Sequence, residues 1–230
     1  MKLETERLLL RLPRPADADE FEAIWADEET VQFLGGTKAR PEVEELVKRM
    51  TRHWDTYGVG LFTVERKEDG RALGRVGFLV WDPERWVNGF REQLLPPYET
   101  EIGWTLGREH WNRGYATEAA LGCRDWALAE LGLTRLVSII ARDNIASIRV
   151  AEKIGERFER PIEGAEQCQH AHAFEKLRGH FGKKAHQPVQ PHGRQQDGKA
   201  HGQISWQTGQ GGHVDPMQGK QRDHESSNKK

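Results

Sequence analysis

The sequence predicts a mixed α/β layer fold with a central sheet flanked by helices, and three observations point to it. Short alternating or apolar runs of strand length recur between longer segments whose apolar residues fall at helical spacing. The resulting order is β α α β β β α β α β β, in which strands and helices interleave rather than segregate. Turn-forming Gly and Pro residues sit mostly between these segments.

Leu8, Leu10 and Leu12 alternate with Arg7 and Arg11, the period of a half-buried strand. Pro15 followed by Asp17, Asp19 and Glu20 has the acidic, proline-led start of a helix, with Phe21, Ile24 and Trp25 as its apolar stripe. A second helix follows Pro41, with Val43, Leu46, Val47 and Met50 on one face, and Gly58 ends it. Residues 60–66 and 72–81 read as two antiparallel strands joined through Glu68-Asp69-Gly70, a turn with the glycine that a hairpin needs. Asp82 to Tyr98 is too long for a tight hairpin loop, and long loops in compact domains are often functional. Glu101 to Gly107 is a strand, Tyr115 to Leu131 a helix, Leu136 to Ala141 a short buried strand, and Ala146 to Ile154 a helix closed by Gly155. Residues 157–162 and 171–177 supply two last strands.

Composition divides the chain at Arg178 into a folded domain, residues 1–178, and a low-complexity tail, residues 179–230. The tail's six large apolar residues, Phe181, Val189, Ile204, Trp206, Val214 and Met217, show no period. Burial there does not offset the entropy of ordering, so a disordered tail is expected. Its histidines lie too far apart in sequence for a metal site. Lys and Arg number 34 and Asp and Glu 36, so no global positive field exists to draw in nucleic acid. Two cysteines, Cys123 and Cys168, make no disulfide framework and fit a reducing cytoplasm. No apolar run reaches the roughly 18 residues of a membrane span, and the acidic N-terminus does not read as a signal peptide. The expectation is a cytoplasmic protein with no metal, no nucleic-acid partner and no membrane partner.

The segment from Glu101 to Leu131 carries the chemistry. It runs strand, glycine-containing turn, helix N-terminus. Asn112 and Gly114 tolerate left-handed backbone angles, and the N–H groups from Arg113 to Thr117 precede the point where helical bonding begins. Such a turn is an anion cradle, in which each N–H bond to a charged group is worth about 1.5–3 kcal/mol and the helix dipole adds about 0.3–2 kcal/mol. Read alone, it is equally a tight structural turn. A P-loop would need Gly-Lys-Ser/Thr and a dinucleotide fold Gly-x-Gly-x-x-Gly; neither is present here.

Four motifs, Thr5 to Arg11 (TERLLLR), Glu101 to Trp104 (EIGW), His110 to Ala119 (HWNRGYATEA) and Ala141 to Gly155 (ARDNIASIRVAEKIG), resemble the GCN5-related N-acetyltransferases, the GNAT family. The resemblance is to its ribosomal-protein N-terminal acetyltransferase-like group and covers roughly residues 3–177. It implies a GNAT-like mixed central sheet and an acetyl group passed from acetyl-CoA to a primary amine, on a protein N-terminus or a small molecule, by direct attack. It implies that Asn112, Arg113, Gly114, Tyr115, Ala116 and Thr117 hold the acetyl-CoA pyrophosphate, that Gly103, Trp104, Thr105 and Leu106 lie along pantetheine, and that Asn144 helps hold that arm. Glu101 is implied as the proton acceptor, equally readable as a salt-bridged strand glutamate, and Ser147 as a weak proton donor, more readily read as a helix cap. Two positions depart from the family. Asn112 stands where glycine is usual, and Glu156 where a buried Phe or Met is usual, so that Glu156 is expected to turn outward or to destabilise the core. These departures leave a second reading, an inactive CoA-binding or scaffold protein with the same fold.

Other candidates read as structural. Cys123 falls on an apolar helix face, and His110 and Trp111 flank the turn. Trp81, Trp86, Phe90 and Tyr98 bracket the long loop, which is a candidate cover for an acceptor site, while Trp86 and Phe90 at helical spacing are equally a candidate surface for a homodimer.

Overall fold

The computed structural model describes residues 1–85, 87–162 and 169–175. Trp86, Cys168, Leu177 and the segment expected to be a disordered tail lie outside the described residues. Eight strands form one sheet: β1 (Lys2–Glu4), β2 (Leu8–Arg11), β3 (Leu61–Arg66), β4 (Ala72–Trp81), β5 (Glu99–Leu106), β6 (Arg135–Ala141), β7 (Arg157–Ile162) and β8 (Gln169–Glu175). Their spatial order is β1-β2-β3-β4-β5-β6-β8-β7. Every neighbouring pair is antiparallel except β5 and β6, which are parallel.

Among the described residues five α-helices accompany the sheet: α1 (Asp17–Ala26), α2 (Glu28–Val31), α3 (Arg40–Tyr57), α4 (Tyr115–Ala129) and α5 (Ile145–Lys153). The helices α1 and α3 meet through the stripes read from sequence, so that Phe21, Trp25, Val43, Val47 and Met50 form one apolar cluster with Leu61 and Ala72 of the sheet. Gly58 ends α3 in the left-handed conformation at φ 68°, its N–H donating to the Trp54 carbonyl at 3.0 Å. A second cluster joins β2 to β6 with Ala119, Ala120, Cys123 and Ala127 of α4, all fully buried. Small side chains there let the helix lie close to the sheet.

Two elements add to the sequence expectation. Strand β1 pairs with β2 from Lys2↔Arg11 to Glu4↔Leu9, which makes β2 an internal strand. The four-residue α2 is capped by the Asp27 carboxylate, which accepts from the Thr30 amide at 2.8 Å. The last expected strand forms as β8, inserted between β6 and β7.

The feature that positions the site is a loss of pairing. Strands β4 and β5 are matched at eight positions, from Gly74↔Leu106 to Trp81↔Glu99. Strands β5 and β6 are matched only at Glu101↔Val137. Beyond that pair they part, opening a V in the sheet toward the C-terminal end of each strand.

Candidate active site

The V has one wall whose backbone edge is free. Gly103, Trp104, Thr105 and Leu106 bond to β4 on one side, and their other edge faces the opening. At its base the Ser138 hydroxyl of β6 donates to the Ile102 carbonyl at 2.7 Å, bridging the two strands just past their last shared pair.

Beyond Leu106 the chain turns through a short 3-10 helix, Arg108–His110, into the N-terminus of α4. The Trp111 indole N–H donates back to the Leu106 carbonyl at 2.7 Å and ties the turn to the strand. Asn112 takes φ 58° and Gly114 φ 82°, the two left-handed angles that let the chain double back beneath its own amides. The first helical bond here runs from the Glu118 N–H to the Gly114 carbonyl at 3.0 Å. The six consecutive amides of Asn112, Arg113, Gly114, Tyr115, Ala116 and Thr117 find no acceptor among the described residues. They form a concave set of donors at the positive end of a helix, which fits a doubly charged phosphate group.

The turn is held from behind by Glu118 of the same motif and by the N-terminal TERLLLR segment. Glu118 accepts from the Thr5 hydroxyl at 2.6 Å, the Arg7 amide at 2.8 Å and Arg7 Nε at 2.6 Å. The same Arg7 donates to the Arg113 carbonyl at 3.0 Å and lies over the Tyr115 ring at 4.5 Å. The TERLLLR segment thus braces the cradle through one glutamate one turn into α4.

Glu101 lies where the V closes and is buried. Its Oε2 accepts from the Trp81 indole N–H across the β4–β5 pair, and its Oε1 lies where a Cβ at Gly103 would meet it at 3.6 Å. Burial pushes its carboxyl up to about 7, against the downward pull of the Trp81 N–H, the Ile139 amide of β6 and the Arg75 charge. Arg75, stacked at 4.8 Å over Trp25, is itself lowered to about 10 by burial. A carboxyl near 7 is poised to exchange a proton at neutral pH.

Asn144 is the N-cap of α5, its side-chain oxygen accepting from the Ser147 amide at 3.1 Å. The cap is therefore Asn144 and not Ser147, and the Asn144 NH2 group is left to donate elsewhere. Cys123 is fully buried, and burial raises its thiol pKa, the opposite of a nucleophile. His110 is buried in the turn beside Glu109. Phe90 is half-buried, its ring 5.6 Å from that of His53. Glu156 takes the second of the two expected outcomes, a buried acid at a cost to the core. It points inward and is only 2% exposed, with neither carboxylate oxygen hydrogen-bonded among the described residues. The backbone explains this: the Glu156 amide donates to the Ala151 carbonyl at 2.9 Å after the left-handed Gly155, which fixes the side chain beneath α5. Sequence reading also missed Trp81 as a partner of Glu101, since that contact depends on strand register.

Among the described residues no cluster of His, Cys, Asp or Glu could hold a metal ion, and no helix is long and apolar enough to cross a membrane. A family profile described as "Acetyltransferase (GNAT) domain" matches residues 7–157. The chain is 33% identical over 162 residues to the "Uncharacterized protein YkkB" of Bacillus subtilis (strain 168), covering 70% of this chain and 88% of that protein. It is 28% identical over 154 residues to the "Uncharacterized N-acetyltransferase p20" of Bacillus licheniformis, covering 66% and 80%. Its fold is shared by RimL, a ribosomal alpha-N-protein acetyltransferase solved in complex with coenzyme A, at a TM-score of 0.60 and 14% identity over 76% of this chain and 98% of that one.

Proposed function

Because the chain belongs to the GNAT acetyltransferase family, we propose that it transfers an acetyl group from acetyl-CoA to a primary amine, on a protein N-terminus or a small molecule, by direct attack. The observation that carries this reading is the run of six amides from Asn112 to Thr117 without an internal acceptor, braced by Arg7 and Glu118. They supply the donors that a diphosphate takes, with the Arg113 side chain available for an ion pair. From there the pantetheine arm runs along the free edge of Gly103, Trp104, Thr105 and Leu106, and the Asn144 NH2 group donates to it. The thioester comes to rest near Glu101, where the V closes.

Only a neutral amine attacks a thioester. An α-amino group with pKa about 7.7–8.0 is roughly a tenth to a sixth free base at pH 7, whereas lysine at about 10.4 is below roughly one part in a thousand. Glu101 takes the proton, directly or through water, and the Gly103 or Trp104 N–H donates to the developing oxyanion. Its elevated pKa follows from burial and makes it a stronger proton acceptor than an exposed carboxylate. Ser147 lies at the start of α5 as a proton donor to the departing thiolate. With a reference thiol pKa of about 8.5, water does this nearly as well, so its part is small. The experiment is an acceptor screen scored by release of free thiol from acetyl-CoA. Tight CoA binding without thiol release from any amine would replace this reading with that of a binding protein.

A further inference from the structure

We propose that the acceptor carries a carboxylate a short distance from its reactive amine, received by the arginine-rimmed cavity between α3 and the chain that follows β4. The proposal rests on the acetyl-transfer reading for its reaction but not for its binding site.

The cavity is an open depression of about 240 Å³ lined by residues that include Arg49, Arg52, His53, Tyr57, Phe90 and Arg91. Its floor is aromatic and uncharged. His53 lies 4.6 Å from the Tyr57 ring and 5.6 Å from Phe90. Both His53 nitrogens are committed, Nδ1 to the Val59 carbonyl at 2.7 Å and Nε2 to the Val80 amide at 3.3 Å, and burial lowers its pKa to about 4. The rim is positive. Arg49 and Arg52 share a single acid, Glu45, at 3.7 and 2.6 Å, and Arg91 has no ion pair among the described residues. The cavity's own acid, Glu92, is taken by Arg85. Three guanidinium groups thus line the cavity, two of them sharing one carboxylate that lies outside its lining, an imbalance that suits a carboxylate on a short, partly apolar carrier.

Location ties the cavity to the reaction. The amide cradle follows the C-terminal end of β5, whereas the cavity lies at the opposite end, where Trp81 pairs with Glu99. At about 3.3 Å per residue these ends stand about 23 Å apart, with Glu101 near the cavity end. Trp81 bridges to Asn88, next to the cavity-lining Gly89 and Phe90, and also donates to Glu101. Phe90 packs in the same cluster as Leu79, the residue opposite Glu101 on β4. Donor and acceptor so arranged approach the carboxyl from opposite ends of one strand.

The test uses the full chain saturated with CoA, which cannot transfer, and three peptides that share an N-terminal serine followed by glutamates, glutamines or lysines. Isoglutamine, whose one carboxylate is the γ-carboxylate, and glutamine amide, which has none, form a second arm that separates a small-molecule source of the carboxylate from a peptide one. By calorimetry, the acidic member of at least one arm binds about three- to tenfold tighter than its neutral counterpart. The Arg49→Gln/Arg91→Gln double variant abolishes that preference while CoA affinity is unchanged, and Arg91→Glu shifts it toward the lysine peptide. These side chains are exposed, so the variants keep the wild-type melting transition. Equal binding of acidic and neutral forms in both arms, or a preference that survives the double variant, overturns the proposal. Acidic preference without thiol release from acetyl-CoA would instead leave the cavity assignment standing and remove acetyl transfer.

Discussion

Glu156 gives the sharpest prediction about stability. Its carboxyl lies under α5 at 2% exposure without a hydrogen-bond partner for either oxygen. Burial pushes it up to about 8, opposed by Ser138 and reinforced by the negative charge of Glu101. In the unfolded chain the same group releases its proton near its ordinary value of 4.5. Between those values the folded state holds a proton that the unfolded state has lost, so stability is retained below about 4.5 and falls as pH rises toward 8. A difference of about 3.5 units at about 1.36 kcal/mol each amounts to about 5 kcal/mol across that window. Glu101, raised to about 7, acts in the same direction. Glu156→Gln cannot ionise, so its advantage over the wild type grows from under about 1 kcal/mol at pH 5 to about 2–5 kcal/mol at pH 8.5. Glu156→Met also removes the unpaired polar atoms and adds about 1–3 kcal/mol at every pH. Urea denaturation with linear extrapolation at pH 5, 7 and 8.5 measures both. Parallel stability curves for wild type and Glu156→Gln would refute the inward, protonated Glu156, since the rise in stability that buried neutral His53 contributes is common to both.

Gly114→Val forces a β-branched residue to φ 82° with its Cβ 3.4 Å from the Arg7 guanidinium. At about 1–2 kcal/mol of strain it distorts the cradle, so CoA affinity drops at least about tenfold by calorimetry while circular dichroism is unchanged. Glu101→Gln lowers kcat/KM by about 10²–10⁴. It also removes the rise in rate through about pH 7 that ionisation of Glu101 gives the wild type, read by thiol release across a pH series. Glu118→Ala takes the acceptor away from Thr5 and from two donors of Arg7. It costs about 1–3 kcal/mol in urea denaturation and weakens CoA binding in parallel.

Much of this architecture is written in periodicity. The stripe Val43, Leu46, Val47 and Met50 behind Pro41 marks α3 without ambiguity, because a long amphipathic helix repeats its signal many times. Strand β1 escapes because three residues, Lys2–Glu4, are too few to establish an alternation, and the strand is held by its register with β2. Helix α2 escapes because four residues complete scarcely one turn and depend on the Asp27 cap. At the site, the left-handed angles of Asn112 and Gly114 are legible from residue type. The Trp81–Glu101 contact is not, since it requires knowing that β4 and β5 align Trp81 with Glu99. Nor is the inward turn of Glu156, which follows from the backbone bond to Ala151 and contradicts the hydropathy of the side chain.

The claim beneath all of this is that the amides opening α4 grip the diphosphate of coenzyme A. A crystal structure of the CoA complex measures it directly. The account predicts diphosphate oxygens within about 2.7–3.2 Å of several N–H groups between Asn112 and Thr117, with the pantetheine arm entering the V between β5 and β6. A diphosphate bound elsewhere, with those amides facing only water, would contradict it.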